Sequence, residues 1–493
     1  MNEAGQVGTV ADQGVIVAID QGTSATKAIA VDGGGHLLRS VTVPVGQSHP
    51  RPGWVEQDAA QILSSARQAV QQLVTQVQAP VLGVGISSQR ESALLWDVTT
   101  GQPLGPMLGW QDRRTSAAAA ELAEAADLVR QRSGLPLDPM FSALKLSWLL
   151  DQVDPDRSRS ARGEIAAGTV DSWLVHALTG AHRIEIGNAS RTQLLDLTTG
   201  TWDPELLDLF RIPAAVLPQV VASTAASPPT DLPGRPAVHA VLGDSHSALY
   251  AHGVHAPGQV KVGYGTGSSV MGLTASAGHA PDGLVRTIAW QLGDAGHQLA
   301  FEGNILSTGG TIAWLSRLLD RPVEDLMARA RAAEPGPVYL VPAFAGLGAP
   351  WWEPQARAVL VGFDLGTDAG VLARAGAEAI AHQVEDVLAA AESEHPVTEI
   401  LADGEPAADD WLMQLQADIS GRPVRRRAQP SLSAWGVALL AARQCGLELP
   451  SPGHGDIFTP TAARQSVRVR RDGWRGALEH ARASSAVEMI ETH

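Results

Sequence analysis

An apolar run that ends in an acid and a Gly-Thr turn opens this chain, and a similar unit begins about half a chain further on. Val15-Ile16-Val17-Ala18-Ile19-Asp20 predicts a short buried strand. Gln21-Gly22-Thr23-Ser24 predicts a turn, residues 28–32 a return strand and residues 36–45 a third strand after Gly33-Gly34-Gly35. Further on, residues 259–264 predict a strand, Gly265-Thr266-Gly267-Ser268 a turn and residues 269–273 its return. Two readings stay open from the pattern alone. Either the chain carries an internal duplication, two related domains each opening on a glycine/hydroxyl hairpin, or it contains two ordinary Gly-Thr turns.

The rest of the chain alternates strands with helices, which points to an α/β architecture. Residues 57–78 predict an amphipathic helix with Ile62, Ala66, Val70, Leu73 and Val77 on one face. Strands are expected at 81–87, 93–97, 239–243, 284–292 and 338–344. Helices are expected at 169–178 (ending at Gly180), 245–254, 305–319, 369–391, 407–419 and 432–443. Residues 223–236, rich in Ser, Ala and Pro, predict a connector, and the Pro/Gly/Arg-rich tail after Pro450 gives no clear pattern.

Of 493 residues, 44% are hydrophobic and 18% charged, enough for a large core and against disorder as the main state. At roughly 100–200 residues per domain, about two to four domains fit. The net charge of −16 argues against nucleic acid or an anionic membrane as the main partner. The single cysteine, Cys445, allows no intrachain disulfide and no Cys-based metal site. No apolar run reaches the ~18 residues of a membrane span. Residues 1–14 read as a flexible leader unlike a secretory signal, so a cytoplasmic protein is expected.

Several residues carry chemistry, each with a plainer alternative. Asp20 stands at a strand end beside the N–H groups and hydroxyls of the following turn. Such a nest can cradle phosphate oxygens while the carboxylate reaches Mg²⁺, and Lys27 can act as a point charge on a phosphate; the alternative is a plain hairpin. Asp244 stands where an apolar strand gives way to a helix. It can accept a proton from a substrate hydroxyl, or merely cap the helix. Gln89-Arg90-Glu91 offers donors and acceptors to a polyhydroxy ligand, or forms a surface ion pair. Trp110, at the head of Trp110-Gln111-Asp112-Arg113-Arg114, can pack on a carbon skeleton or be plain core. No Walker loop and no Gly-x-Ser-x-Gly elbow is present.

Taken in order, several stretches resemble the FGGY family of carbohydrate kinases, and within it the glycerol kinases. They are Ile19-Asp20-Gln21-Gly22-Thr23-Ser24, Pro52-Gly53-Trp54-Val55-Glu56, Ser88-Gln89-Arg90-Glu91 and Trp110-Gln111-Asp112-Arg113-Arg114-Thr115. Further on are Gly168-Thr169-Val170-Asp171-Ser172-Trp173-Leu174, Asn188-Ala189-Ser190-Arg191-Thr192, Tyr264-Gly265-Thr266-Gly267 and residues 341–352. The likeness runs from about residue 15 to about residue 445. It implies a two-domain actin/hexokinase-like (ribonuclease H-like) α/β fold with ATP and substrate in an interdomain cleft. The expected divisions are a leader (1–14), an N-terminal domain (15–246), a C-terminal domain (247–450) and a C-terminal extension (451–493).

The resemblance also implies roles. Asp20 and Asp244, one from each repeated half, would organise Mg²⁺, and Asp244 would be the general base. Thr23, Ser24, Lys27, Thr266 and Gly267 would contact phosphates, with Gly309, Gly404, Glu405 and Asp409 also on the nucleotide side. Arg90, Glu91, Trp110 and Asp244 would hold a polyol whose terminal hydroxyl is phosphorylated. A homodimer or homotetramer is the assembly such enzymes suggest.

Departures from the pattern bear on the substrate. Glycerol kinases carry Tyr where Met140 stands, Gln where Ser245 stands and an aromatic where Ser269 stands, which implies a wider pocket and makes a larger polyol or a ketose the alternative substrate. The nucleotide stretch reads Asp403-Gly404-Glu405-Pro406-Ala407-Ala408-Asp409. Glu405 adds negative charge and Pro406 removes a backbone donor. These two residues motivate a third reading, a weakly active regulatory or ligand-binding homologue.

Overall fold

The computed structural model describes residues 14–275, 280–427 and 431–487. Residues 1–13 of the expected leader and the end of the tail, 488–493, lie outside the described residues. The chain divides into two compact units that are not continuous in sequence. The first holds the chain up to Gly253 together with Arg286–Leu299 and Ser431–Ser451; the second holds Val254–Val285, Ala300–Pro430 and the chain from Pro452. Among the described residues, no helix is long and apolar enough to cross a membrane.

The first unit is built on a sheet of β1 (Val15–Gln21), β2 (Ala25–Asp32), β3 (Leu37–Pro44), β4 (Val81–Ser88) and β5 (Val238–Gly243), in the order β5-β4-β1-β2-β3. β1, β2 and β3 run antiparallel, whereas β4 and β5 run parallel to β1. β1 is apolar on both faces because both are covered. Val15, Val17 and Ile19 join a core with the helix Ala59–Val77, whose Ile62, Ala66, Val70 and Leu73 are buried as the periodicity predicts. Asp58 caps that helix by accepting from the Ala60 N–H at 2.8 Å. The other face is covered by the helix Leu432–Gln444, which comes from the far end of the chain. It approaches so closely that a Cβ on Gly85 would lie 2.5 Å from the Val437 carbonyl oxygen, which is why β4 carries glycine there. The helix Val170–Thr179 ends at Gly180 in the left-handed conformation, as its sequence predicts.

A second sheet, built mostly from the second unit, repeats this plan. Its strands are β6 (Gln259–Tyr264), β7 (Ser268–Thr274), β8 (Val285–Trp290), β9 (Gln298–Ile305), β10 (Glu399–Asp403), β11 (Val424–Arg427) and β12 (His454–Phe458). They lie in the order β8-β9-β7-β6-β10-β11-β12. β9-β7-β6-β10-β11 has the same order as β3-β2-β1-β4-β5, with an antiparallel hairpin β6·β7 and parallel pairs β6·β10 and β10·β11. Of the two readings of the Gly-Thr turns, the structure thus supports duplication: each turn closes the equivalent hairpin of its own sheet. The helix Ala369–Ala391 spans the residues its sequence predicts; six of its nine alanines, with Ile380, Val384, Val387 and Leu388, are buried.

The segment expected as an extension is part of this second unit. β12 pairs antiparallel with β11, and the helix Arg464–Val487 buries Trp474, Ala477, Leu478 and Ala481 against Val341, Leu347 and Ala356. The Trp474 indole N–H donates to Asp386 Oδ2 at 2.8 Å, and Arg471 pairs with Asp386 Oδ1 at 2.6 Å. The sequence hides this helix because its buried stripe is narrow, largely alanine, and set among arginines.

Candidate active site

In the first unit the parallel strands β1, β4 and β5 end side by side, and their carboxyl ends carry the candidate acids. Asp20 is the penultimate residue of β1 and pairs in register with Ser87 of β4, whose Oγ donates to Asp20 Oδ1 at 2.8 Å. Asp244 directly follows β5. Burial, reinforced by the negative charge of Asp244, pushes the Asp20 pKa up to about 6, while Ser87 and the Lys27 ammonium pull it down. The duplication suggested one acid from each repeated half. Instead both belong to the first unit, because Asp244 ends the last parallel strand of the first sheet rather than opening the second.

Asp244 is the first residue of the helix Asp244–Ala251, and its cap position is filled by Gly243. Its Oδ1 accepts from the Ser245 N–H at 2.6 Å and lies 3.3 Å from Arg90 Nε. Arg90 and Glu91 are buried, each 6% exposed, so the surface ion pair is excluded. Glu91 Oε1 accepts from Arg191 Nε at 2.6 Å, and Arg191 is wholly buried with its guanidinium over the Phe141 ring. Glu91 also adopts a left-handed backbone, φ 61°, which a non-glycine residue holds only where its surroundings enforce it.

Around the first turn, Trp110 and Thr23 meet: the indole N–H donates to Thr23 Oγ1 at 3.1 Å. Gln57 Nε2 donates to the Thr23 carbonyl at 2.8 Å, and Gln89 Nε2 to Gln57 Oε1 at 2.9 Å. Ser24 is exposed at the turn. Lys27 Nζ donates to Ser431 Oγ at 2.5 Å. Met140 is buried, and Lys145 Nζ donates to its carbonyl at 2.7 Å. Gln57, Ser87, Lys145 and Ser431 had no role in the sequence reading. Arg191 had a visible signal, its place in Asn188-Ala189-Ser190-Arg191-Thr192.

The remaining candidates lie in the second unit. The turn between β6 and β7 is locked: the Thr308 N–H donates to the Thr266 carbonyl at 2.8 Å and the Gly309 N–H to the Gly265 carbonyl at 2.9 Å. Gly309 therefore spends its N–H on the turn, which leaves Thr266 and Gly267 in a fixed shape. Ser269 Oγ donates to the buried Glu302 at 2.9 Å. Gly404 has φ 94°, and a Cβ there would lie 1.8 Å from the Tyr264 carbonyl oxygen, so only glycine lets β10 run into its turn beside β6. Glu405 is exposed at the start of that turn. Asp409 caps the helix Asp410–Ser420 through the Leu412 N–H at 3.1 Å and pairs with Arg331, so its carboxylate is engaged within the protein. Arg426 donates to the carbonyls of Ala407 and Ala408 at 3.2 and 3.0 Å, which holds the Glu405-Pro406 turn.

Comparison with known proteins matches both units. The N-terminal domain of the FGGY family of carbohydrate kinases matches residues 15–229 and its C-terminal domain residues 260–445. A glycerol kinase of Alkalilimnicola ehrlichii is 41% identical, covering 94% of this chain and 98% of its own. An apulose kinase of Pectobacterium atrosepticum is 40% identical, covering 95% and 98%. Among solved structures, a Plasmodium falciparum glycerol kinase with ADP superimposes with a TM-score of 0.89 at 24% identity, over 95% of this chain and 98% of that one. A ligand-bound xylulose kinase from Lactobacillus acidophilus does so with 0.87 at 19%, over 96% and 98%. The last two bear on the fold alone.

Proposed function

Because the chain belongs to the FGGY family of carbohydrate kinases, we propose that it transfers the γ-phosphoryl group of ATP to a primary hydroxyl of glycerol or a related polyol, with Mg²⁺, in the cytoplasm. The observation that carries this reading is the pair of carboxylates at the ends of β1 and β5, the two parallel strands that flank β4, one backed by Ser87 and the other by Arg90. Mg²⁺ is commonly held by one or two carboxylates, with water and phosphate oxygens filling the rest. Asp20 and Asp244 fit that donor set, and among the described residues no cluster of three or more metal-binding side chains competes with it. Bound there, the ion would neutralise charge on the phosphates.

The chain's own residues do the rest. Arg90, Glu91 and Trp110 hold the polyol hydroxyls and carbon skeleton. Asp244 accepts the proton of the attacking hydroxyl as its oxygen bonds to the γ-phosphorus and the bond to the β–γ bridging oxygen breaks, releasing ADP. Arg90 and the Ser245 N–H orient that carboxylate. Thr23 and Ser24 of the first turn and Lys27 of β2 contact the phosphates, and Thr266, Gly267 and the Gly404-Glu405 turn serve the nucleotide. Catalysis is then mainly positioning and charge neutralisation.

A second reading, a larger polyol or a ketose as substrate, is favoured by Met140, Ser245 and Ser269 and by the apulose kinase relative. ADP release across glycerol, erythritol, ribitol, apulose, xylulose and ribulose decides between them. Turnover of glycerol supports the first reading, and turnover of the larger polyols or the ketoses without glycerol selects the second. No turnover on any of the six, with no Mg-ATP binding by calorimetry, overturns both in favour of a regulatory homologue.

A further inference from the structure

We propose that Lys145 is a positioning residue for the polyol site: its ammonium ties the backbone at Gly109 to the backbone at Met140 and so sets the spacing of Trp110 and Met140. This rests on the kinase reading above. Lys145 lies in the helix Ser142–Val153 and is wholly buried. Its Nζ donates to the Gly109 carbonyl at 2.9 Å and to the Met140 carbonyl at 2.7 Å. Those carbonyls come from two separate turns, one leading into Trp110 and the other carrying Met140.

Each turn is also anchored from its far side. Asp112 accepts from the Val55 N–H at 2.7 Å and from Arg114. Asp138 accepts from the Met140 N–H at 2.8 Å and from Arg113 at 2.7 Å. Arg113 links the same two turns from the more exposed side, whereas Lys145 joins them backbone to backbone from the buried side. Burying an ammonium costs several kcal/mol unless its hydrogen bonds are made, and a leucine or methionine would fill a helix-core position at no such cost. The chain carries three lysines in a background of arginine, and only a linear stem with a compact ammonium can reach two carbonyls in a space this enclosed. Burial pulls the Lys145 pKa down to about 7, while Glu91, Asp112 and Asp138 favour the charge and Arg113 opposes it; the neutral amine still carries the two N–H donors that the two carbonyls need.

The test compares wild type with Lys145→Met, which keeps length and removes the donors, and Lys145→Gln, which restores an amide donor. The substrate is whichever of the six turns over fastest. The expected result is a rise of about tenfold or more in its KM for Lys145→Met, a smaller rise for Lys145→Gln, and a KM for Mg-ATP within about twofold of wild type. Trp110→Phe combined with Lys145→Met should give less than the product of the two single effects on KM, because both act through one wall. A lowered Tm with both substrate KM values unmoved makes the lysine merely structural and overturns the assignment. Should the methionine variant not fold, the glutamine variant carries the same KM test. Wild type that turns over none of the six substrates sinks the kinase reading itself, an outcome distinct from a working enzyme indifferent to Lys145.

Discussion

A carboxyl group enclosed beside another carboxylate resists ionisation, and Asp20 is in that position, with its pKa pushed up to about 6. Below that pH it is protonated and cannot hold a cation; above it the charge is present. The kcat/KM for Mg-ATP, which reports the enzyme before the ion arrives, should therefore climb as pH rises through about 6 and level off above 7, and a pH–rate profile flat down to pH 5 would contradict this role. Asp244→Ala should lower kcat about 10²–10⁴-fold with circular dichroism unchanged; near-normal turnover would remove it as the base. Both acids were legible in the sequence because each ends an apolar run, a signal local to a few residues. Their supporters were not. Ser87 meets Asp20 across 67 positions, Arg191 meets Glu91 across 100 and Lys27 meets Ser431 across 404, and periodicity carries no information over such separations.

Elements were legible where one face alone decided them. The helix Ala59–Val77 follows its apolar stripe, and Ala369–Ala391 its alanine-rich run, which Gly370 and Gly376 do not break. The helix Arg464–Val487 was not, since its anchoring depends on a single large side chain. Trp474→Ala should accordingly cost about 3–5 kcal/mol, seen as a lowered Tm; an unchanged Tm would mean the helix is an appendage after all. The Glu405-Pro406 turn is a different case, because its sequence was readable but its effect is electrostatic. Arg426 grips the Ala407 and Ala408 carbonyls rather than either substituted side chain, so Glu405→Gly should leave the turn in place. Removing one exposed charge near a triphosphate is worth about 1 kcal/mol at short range, so the KM for ATP should fall about fivefold. A KM that stays the same or rises would show that the turn does not face the nucleotide.

At the scale of the molecule, two sheets of one strand order point to a duplicated ancestor, yet the units do not divide the chain at its midpoint. The helix Leu432–Gln444 returns to the first sheet after the whole second sheet up to β11 has been laid down. It covers the face on which Gly83 and Gly85 leave room, and Gly436 lies against the helix Asp244–Ala251 so closely that a Cβ there would meet the Ser247 carbonyl oxygen at 1.9 Å. No sequence reading divided by contiguous stretches can find such a partner, because the complement of one apolar face lies hundreds of residues away. A fragment that joins residues 14–253 to residues 286–299 through a Gly/Ser linker therefore lacks one layer of its core. It should expose apolar surface, bind a hydrophobic dye and melt without a cooperative transition. The same fragment joined through a Gly/Ser linker to residues 431–451 should recover a sharp melt and near-UV circular dichroism. A sharp melt by the shorter fragment alone would show that the first sheet does not need its distant helix, and the discontinuous unit would lose its physical basis.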